Sequence, residues 1–422
     1  MITMNYIKKC QKLYYEKLSN GLEIYMFPNS KMKGYNATLI TRYGSNIKKF
    51  IPIGETKYCH LPLGVAHFLE HKMFDMEDND PFTFYSKTGT YANAGTNYYS
   101  TRYYIHGDKC FKKNLDFLLD MVYTPFFTDV SVQKEMGIIK EEIKMYDDEI
   151  EYTLDDMMKH NLFQYNVLDK IAGTCSSIEK ITKEILFKTW QTFYQPSNMA
   201  LIVTGNFKTS NVIEIVKNNK ALNKMITNMP IKYLTKKDTK KVNNEYSSLK
   251  DHVMIPKLKY SFKFDLNTFG LENSLLVETC MNIIFQILLG ESSAFYEKIL
   301  NEGLATGYYV DYCRYENIYI VDIEAESNYA DIFKDEIDKL FSNIIINEED
   351  LERIKRVMLA TEIRISDSVE TLNDCICEEF IYDTIKIEKT SFIKSISIND
   401  INKIISKLDL SNKSFIIMFP EE

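Results

Sequence analysis

Apolar positions change their period along the chain, and each change predicts an element. LYYEKL and LEIYMF alternate on either side of Ser19-Asn20-Gly21, which predicts two strands joined by a tight turn within 12–30. YNATLITRYGS (35–45) predicts a third strand, and LGVAHFLEHKMF (63–74) has helical spacing. YANAGTNYYSTRYYIH (91–106) alternates again and predicts one strand. FKKNLDFLLDMVY (111–123) predicts an amphipathic helix, 131–163 one long charged helix and 178–194 another, before the buried strand MALIVTGN (199–206).

The stretch 216–250 changes character: it is rich in Asn and Lys, carries Lys236, Lys237, Lys240 and Lys241, and reads as an exposed connection with room for a short strand. The earlier pattern then returns. Residues 271–290 and 331–343 predict helices, as do 348–366, and 307–327 predict a strand pair. The segment 178–198 resembles 393–412, each followed by an apolar strand, and 82–99 resembles 293–310 at nearly the same offset. The expected fold is α+β: two homologous α/β-sandwich halves, each an antiparallel-rich sheet packed by helices. The expected division is 1–215 for the first half, 216–245 for the linker and 246–422 for the second half.

Composition narrows the function classes. The 422 residues suit two domains, and 59 acidic against 51 basic residues, a net charge of −8, argue against a nucleic-acid binder. No run of 18 apolar residues appears, so no membrane-spanning helix is expected, and the N-terminus lacks the pattern of a secretory signal. Eight scattered cysteines, Cys10 among them, predict reduced thiols and a cytoplasmic protein.

The informative segment is His67-Phe68-Leu69-Glu70-His71. On a helix, positions i, i+3 and i+4 share a face, so His67, Glu70 and His71 point together while Phe68 and Leu69 pack elsewhere. Two imidazoles one turn apart can hold one Zn²⁺, and a Glu between them can serve a water without ligating the metal; this is H-E-x-x-H inverted. A third protein ligand is needed. Glu142 and Glu149, seven residues apart on the acidic stretch, share a face, and either can ligate while the other supports it.

HFLEH with this downstream pair resembles the insulinase/pitrilysin family of zinc peptidases, the inverzincins. The resemblance extends through YYEKLSNGLEIYMFP, ANAGTNYYSTRYY, KEMGIIKEEIKMYDDE, IAGTCSSIEKIT and FYQPSNMALIVTGN. It is similar to a short bacterial branch of paired subunits, some tied to maturation of ribosomally made peptides such as subtilosin. The resemblance implies one Zn²⁺ per chain on His67, His71 and Glu149, with Glu70 as general base and Glu142 in support of the ligands. It implies Asn93 and Ala94 on a substrate-binding edge strand, and unfolded peptides held as an added strand in a closed chamber. Active relatives carry an Arg and, seven residues on, a Tyr in the second half; here these positions hold Asn301 and Tyr308. The implied activity is therefore that of a zinc endopeptidase subunit whose homologous partner supplies the missing Arg and Tyr. A self-sufficient homodimeric peptidase and a zinc-retaining scaffold are the alternatives.

Overall fold

The computed structural model describes residues 1–6, 12–77, 80–164, 167–225, 228–235, 238–270, 274–385 and 388–421; Cys10, Lys236 and Lys237 lie outside them. The strands are β1 (Ile2–Asn5), β2 (Lys12–Lys17), β3 (Glu23–Pro28), β4 (Tyr35–Thr41), β5 (Lys49–Ile51), β6 (Cys59–His60), β7 (Tyr91–Thr96), β8 (Thr101–Gly107), β9 (Met199–Gly205), β10 (Lys232–Leu234), β11 (Tyr246–Asp251), β12 (Lys257–Asp265), β13 (Tyr308–Tyr315), β14 (Ile318–Glu326) and β15 (Lys413–Pro420). The helices are α1 (Val65–Lys72), α2 (Pro81–Thr88), α3 (Phe111–Tyr123), α4 (Asp129–Asp147), α5 (Ile150–Leu162), α6 (Cys175–Ile178), α7 (Lys183–Phe193), α8 (Thr209–Asn218), α9 (Ser274–Leu289), α10 (Ala294–Asn301), α11 (Ala330–Ser342), α12 (Glu348–Ile365), α13 (Val369–Ile381), α14 (Lys389–Ser395) and α15 (Ile398–Ile405).

The chain packs into two units. Residues 1–146, 168–236 and 362–389 form the first, and 147–167, 237–361 and 390–422 form the second. In the first unit a seven-stranded sheet runs β1-β2-β3-β9-β4-β8-β7. In the second a five-stranded sheet runs β11-β15-β12-β14-β13. The orders correspond, and so do the pairings: β3–β9 and β11–β15 are parallel, and the strands beyond them antiparallel. Helices α3, α4 and α5 begin at Phe111, Asp129 and Ile150, and α11, α12 and α13 begin at Ala330, Glu348 and Val369, each 219 residues later. The α+β duplication is therefore present in topology as well as in sequence.

The division differs from the expected contiguous halves because each central strand needs cover on both faces. In β4 and β9 every residue is buried. One face packs into the main core with α1 and α3, and the other lies under α13 from the C-terminal part of the chain. Asn373 of α13 donates to the Ile202 carbonyl at 3.1 Å and accepts from Thr38, while Thr204 donates to the Val369 carbonyl at 2.7 Å, so these three buried side chains are paired. The guanidinium of Arg42 donates to the Phe380 carbonyl and stacks on its ring. In the second unit α5 covers β12 and β15. There Lys259 pairs with Asp155 and Glu324, and Asn161 donates to Ser414 at 3.0 Å.

Three local expectations change. The helix expected over 131–163 is two, because the chain leaves helical geometry at Asp148 and Glu149; Glu149 is extended and is the N-cap of α5. The strand expected over 91–106 is the hairpin β7–β8, whose turn is folded by the Asn97 side chain accepting from the N–H groups of Tyr99 and Ser100. The linker expected over 216–245 begins inside α8, buries Leu222 and contributes β10, which pairs with β5. Farther on, the fully buried Lys263 donates to Asp238 and to the carbonyls of Thr239 and Leu162, tying the connection to the end of α5. The segment Ser274–Asn301 is apolar and long enough by composition to cross a membrane. It supplies the core of the second unit, where Val277, Met281, Ile284 and Phe285 are fully buried.

Candidate metal centre

Helix α1 begins where Gly64 takes a left-handed φ of 92°. A Cβ there would lie 2.5 Å from the Ala172 carbonyl oxygen, so glycine meets both a backbone and a packing requirement. Val65, Ala66, Phe68 and Leu69 then enter the core, which turns His67, Glu70 and His71 to the opposite face. Helix α4 buries Val132, Met136, Ile139 and Ile143 as one stripe. Glu135 and Glu142, two turns apart, share the flank beside it.

These two helices bring together His67, His71 and Glu142. One donor atom from each lies within 4.8 Å of the others. His67 Nε2 is 3.6 Å from Glu142 Oε1, and His71 Nε2 is 3.4 Å from Glu142 Oε2. Ligands about 2.0–2.1 Å from a tetrahedral Zn²⁺ stand roughly 3.3 Å apart, so the spacing fits that ion, as does the N, N, O donor set. His71 Nδ1 faces Glu135 Oε1 at 2.8 Å, the carboxylate–imidazole arrangement that orients a metal-binding histidine. His67 Nδ1 is buried and has no hydrogen-bond partner among the described residues.

The electrostatics agree with a site organised for positive charge. Glu142 is held down at about 2, first by His67, although 3.6 Å is long for a hydrogen bond, and further by the Tyr146 hydroxyl and by His71. Burial opposes charge on His71, but the hydrogen bond and charge of Glu135, with Glu142 and Glu70, outweigh it and raise its pKa. Glu70 Oε2 accepts from Thr96 Oγ1 of β7 at 2.6 Å.

The carboxylate that joins the two histidines is thus Glu142, one heptad before the expected Glu149. Glu149 lies beyond the end of α4, exposed, and belongs to the second unit. Glu142, expected in a supporting role, is the third member of the donor group, and Glu135, which the sequence reading missed, faces His71 Nδ1. The same seven-residue spacing read backwards from Glu142 was the available signal. Asn93 and Ala94 lie on β7, the edge of the first sheet, whose outer side pairs with no other strand among the described residues. The Ala94 N–H is met by the Asn93 side chain at 2.9 Å, and Asn93 Nδ2 donates to the Tyr91 hydroxyl at 2.7 Å. Tyr308 lies in the second unit, and its hydroxyl donates to the Leu289 carbonyl at 2.7 Å. Asn301 ends α10 and is exposed.

The segment bearing this centre, residues 45–174, matches the model for "Insulinase (Peptidase family M16)", and residues 180–358 match that for "Peptidase M16 inactive domain". The uncharacterized zinc protease YmfH of Bacillus subtilis is 32% identical over 406 residues, 94% of each chain. The chain belongs to the insulinase family of peptidases, M16. Among M16 structures, that of a protein called an M16-like peptidase from Alicyclobacillus acidocaldarius superposes with a TM-score of 0.90 at 26% identity, covering 99% of this chain and all of that one. The first half of the periplasmic protease PqqL from Escherichia coli shares the fold, with a TM-score of 0.74 at 18% identity over 99% of this chain and 93% of that one. Against full-length PqqL the match covers 48% of that chain, so the fold seen here corresponds to about half of it.

Proposed function

We propose that this M16 chain is a zinc-dependent endopeptidase subunit that cleaves unfolded peptides. His67, His71 and Glu142 would hold one Zn²⁺, Glu135 would orient His71, and Glu70 would be the general base. The observation that carries the reading is the three-residue donor group, with carboxylate oxygens 3.4 and 3.6 Å from the two imidazole nitrogens. Zn²⁺ supplies Lewis-acid chemistry at such a centre, acidifying water to a pKa of about 7 and polarising a carbonyl. The chain's own residues do the rest. Glu70 takes a proton from the attacking water and returns one to the departing amine. The free edge of β7, with Asn93 and Ala94, takes an extended peptide as an added strand, so affinity comes from backbone groups and is tolerant of sequence.

The activity is proposed to need a homologous partner. Asn301 cannot supply the charged fork of an arginine, and Tyr308 spends its hydroxyl proton on Leu289. The half-length correspondence with PqqL supports pairing with a second, similar chain. A precursor of a ribosomally made peptide is the proposed substrate class. A cytoplasmic site of action is proposed from the scattered cysteines, seven of which are free thiols.

The test measures zinc and cleavage on one sample of Glu70→Gln, assayed alone and with a homologous M16 chain of similar length as the candidate partner. Zinc content should stay near one per chain, and cleavage should fall by about 10²–10⁴-fold or more. Near-normal cleavage by the variant would remove Glu70 from the mechanism. Full cleavage by the unaltered chain alone would remove the partner.

A further inference from the structure

We infer that Thr96 is a positioning residue that fixes the Glu70 carboxylate and ties it to the peptide-binding strand; the inference rests on the proposed role of Glu70. Thr96 Oγ1 donates to Glu70 Oε2 at 2.6 Å, the length of a charge-assisted bond. Its other hydrogen-bond neighbour among the described residues is Thr101 Oγ1 at 3.4 Å. Thr101 is fully buried and donates its one hydroxyl proton to the Tyr43 carbonyl at 2.9 Å. A carbonyl only accepts, so that proton is committed. The Thr96 proton is then left for Glu70. One carboxylate oxygen is thereby occupied, and Oε1 remains for the proton that a general base must take.

The strand end that carries Thr96 is held by hydrogen bonds on both sides of the turn. Thr96 pairs with Thr101 at the closed end of the β7–β8 hairpin. Asn97 accepts from Tyr99 and Ser100 in the turn, and the carbonyls of Asn97 and Tyr98 accept from the N–H groups of Ser45 and Asn46. Gly44 lets the two loops touch: a Cβ there would stand 2.4 Å from the Asn97 carbonyl oxygen. Thr96 also shares β7 with Asn93 and Ala94. A peptide pairing with the outer edge of β7 restrains the same strand that orients the base, so substrate binding and base alignment are coupled through one side chain.

The test compares Thr96→Val, which keeps the shape and loses the donor, with Thr96→Ser, which keeps the donor. In the active complex, Thr96→Val should lower kcat roughly 10- to 100-fold, the worth of one hydrogen bond to a charged group, with KM, zinc content and Tm near wild type. Thr96→Ser should restore most of the loss. A crystal structure of Thr96→Val should show α1 unmoved and the Glu70 carboxylate rotated from its present position. A Glu70 unmoved in that structure, a kcat for the Val variant within twofold of wild type, or a Ser variant as impaired as Val would each overturn the inference. Glu70→Gln run in parallel separates the two levels: an active Gln variant defeats the role of Glu70 itself. An inactive Gln variant beside a fully active Val variant defeats only the role of Thr96.

Discussion

The assignment of Glu142 over Glu149 can be tested by one series of conservative substitutions. Glu142→Gln removes the carboxylate that stands 3.4 Å from His71 and 3.6 Å from His67, and with it the only anionic donor of the group. Glu135→Gln leaves all three donors in place but replaces the 2.8 Å charged contact to His71 Nδ1 by a neutral one. Loss of such a supporting partner weakens metal affinity by about 10–100-fold, or roughly 1.4–2.7 kcal/mol. Loss of a ligand and its charge must exceed that, so Glu142→Gln should weaken zinc binding by more than about 100-fold. Glu149→Gln alters an exposed cap on another helix and should leave affinity within about twofold of wild type. Competition with a chromophoric chelator at fixed pH gives the affinities. The gain in Tm on adding zinc gives an independent measure, because a ligand bound only to the folded state stabilises it by an amount that grows with the logarithm of its affinity. Loss of zinc from Glu149→Gln with retention by Glu142→Gln would refute the reading of α4 and restore the later heptad.

Three other outcomes are expected. Gly44→Ala forces a Cβ to 2.4–2.5 Å of the backbone at Asn97, Tyr98 and Tyr99; it should cost about 1–3 kcal/mol in urea unfolding, and an unchanged midpoint would contradict the close approach. Ala94→Pro removes a donor from the edge strand and should raise the peptide KM about tenfold or more with zinc content intact; an unaltered KM would take the peptide off β7. Asp322 is pushed up to about 6, chiefly by burial, while Lys259 and the Ser261 hydroxyl pull the other way. Below pH ~4 the acid is neutral in both folded and unfolded chains, and its contribution to stability is lost as pH rises through about 6. Asp322→Asn should therefore gain on wild type by about 1 kcal/mol or more between pH 4 and pH 7, and a pH-independent difference in unfolding free energy would refute this.

Period and spacing carried the α+β class, the duplication and the His67–Glu70–His71 face, because each rests on patterns written in short stretches of chain, the duplication on two such stretches repeated at nearly one offset. What they missed depends on breaks without a compositional mark. No Gly or Pro separates α4 from α5, and Ile150 and Leu154 continue the apolar period past Asp148, so the two read as one helix and the acidic heptad slipped to Glu149. The turn at Asn97–Ser100 also lacks Gly and Pro; a side chain folds it, so alternation ran through it. Thr96 meets Glu70 only because β7 lies along α1, a contact set by tertiary packing. The interleaving of the two units was beyond any local signal, since α13 finds its sheet more than 150 residues after β9 was made.

That interleaving makes synthesis and completion separate events for the unit that bears the metal centre. A ribosome that has made His67, Glu142 and β9 still lacks residues 362–389, and until they emerge one face of β4 and β9 has no helix to cover it. Ile40, Ala200 and Ile202, buried in the finished chain, stay open to water or to a chaperone through that interval. A nascent chain halted after β14 already contains every residue of the centre, yet it carries an apolar sheet face that marks it as unfinished.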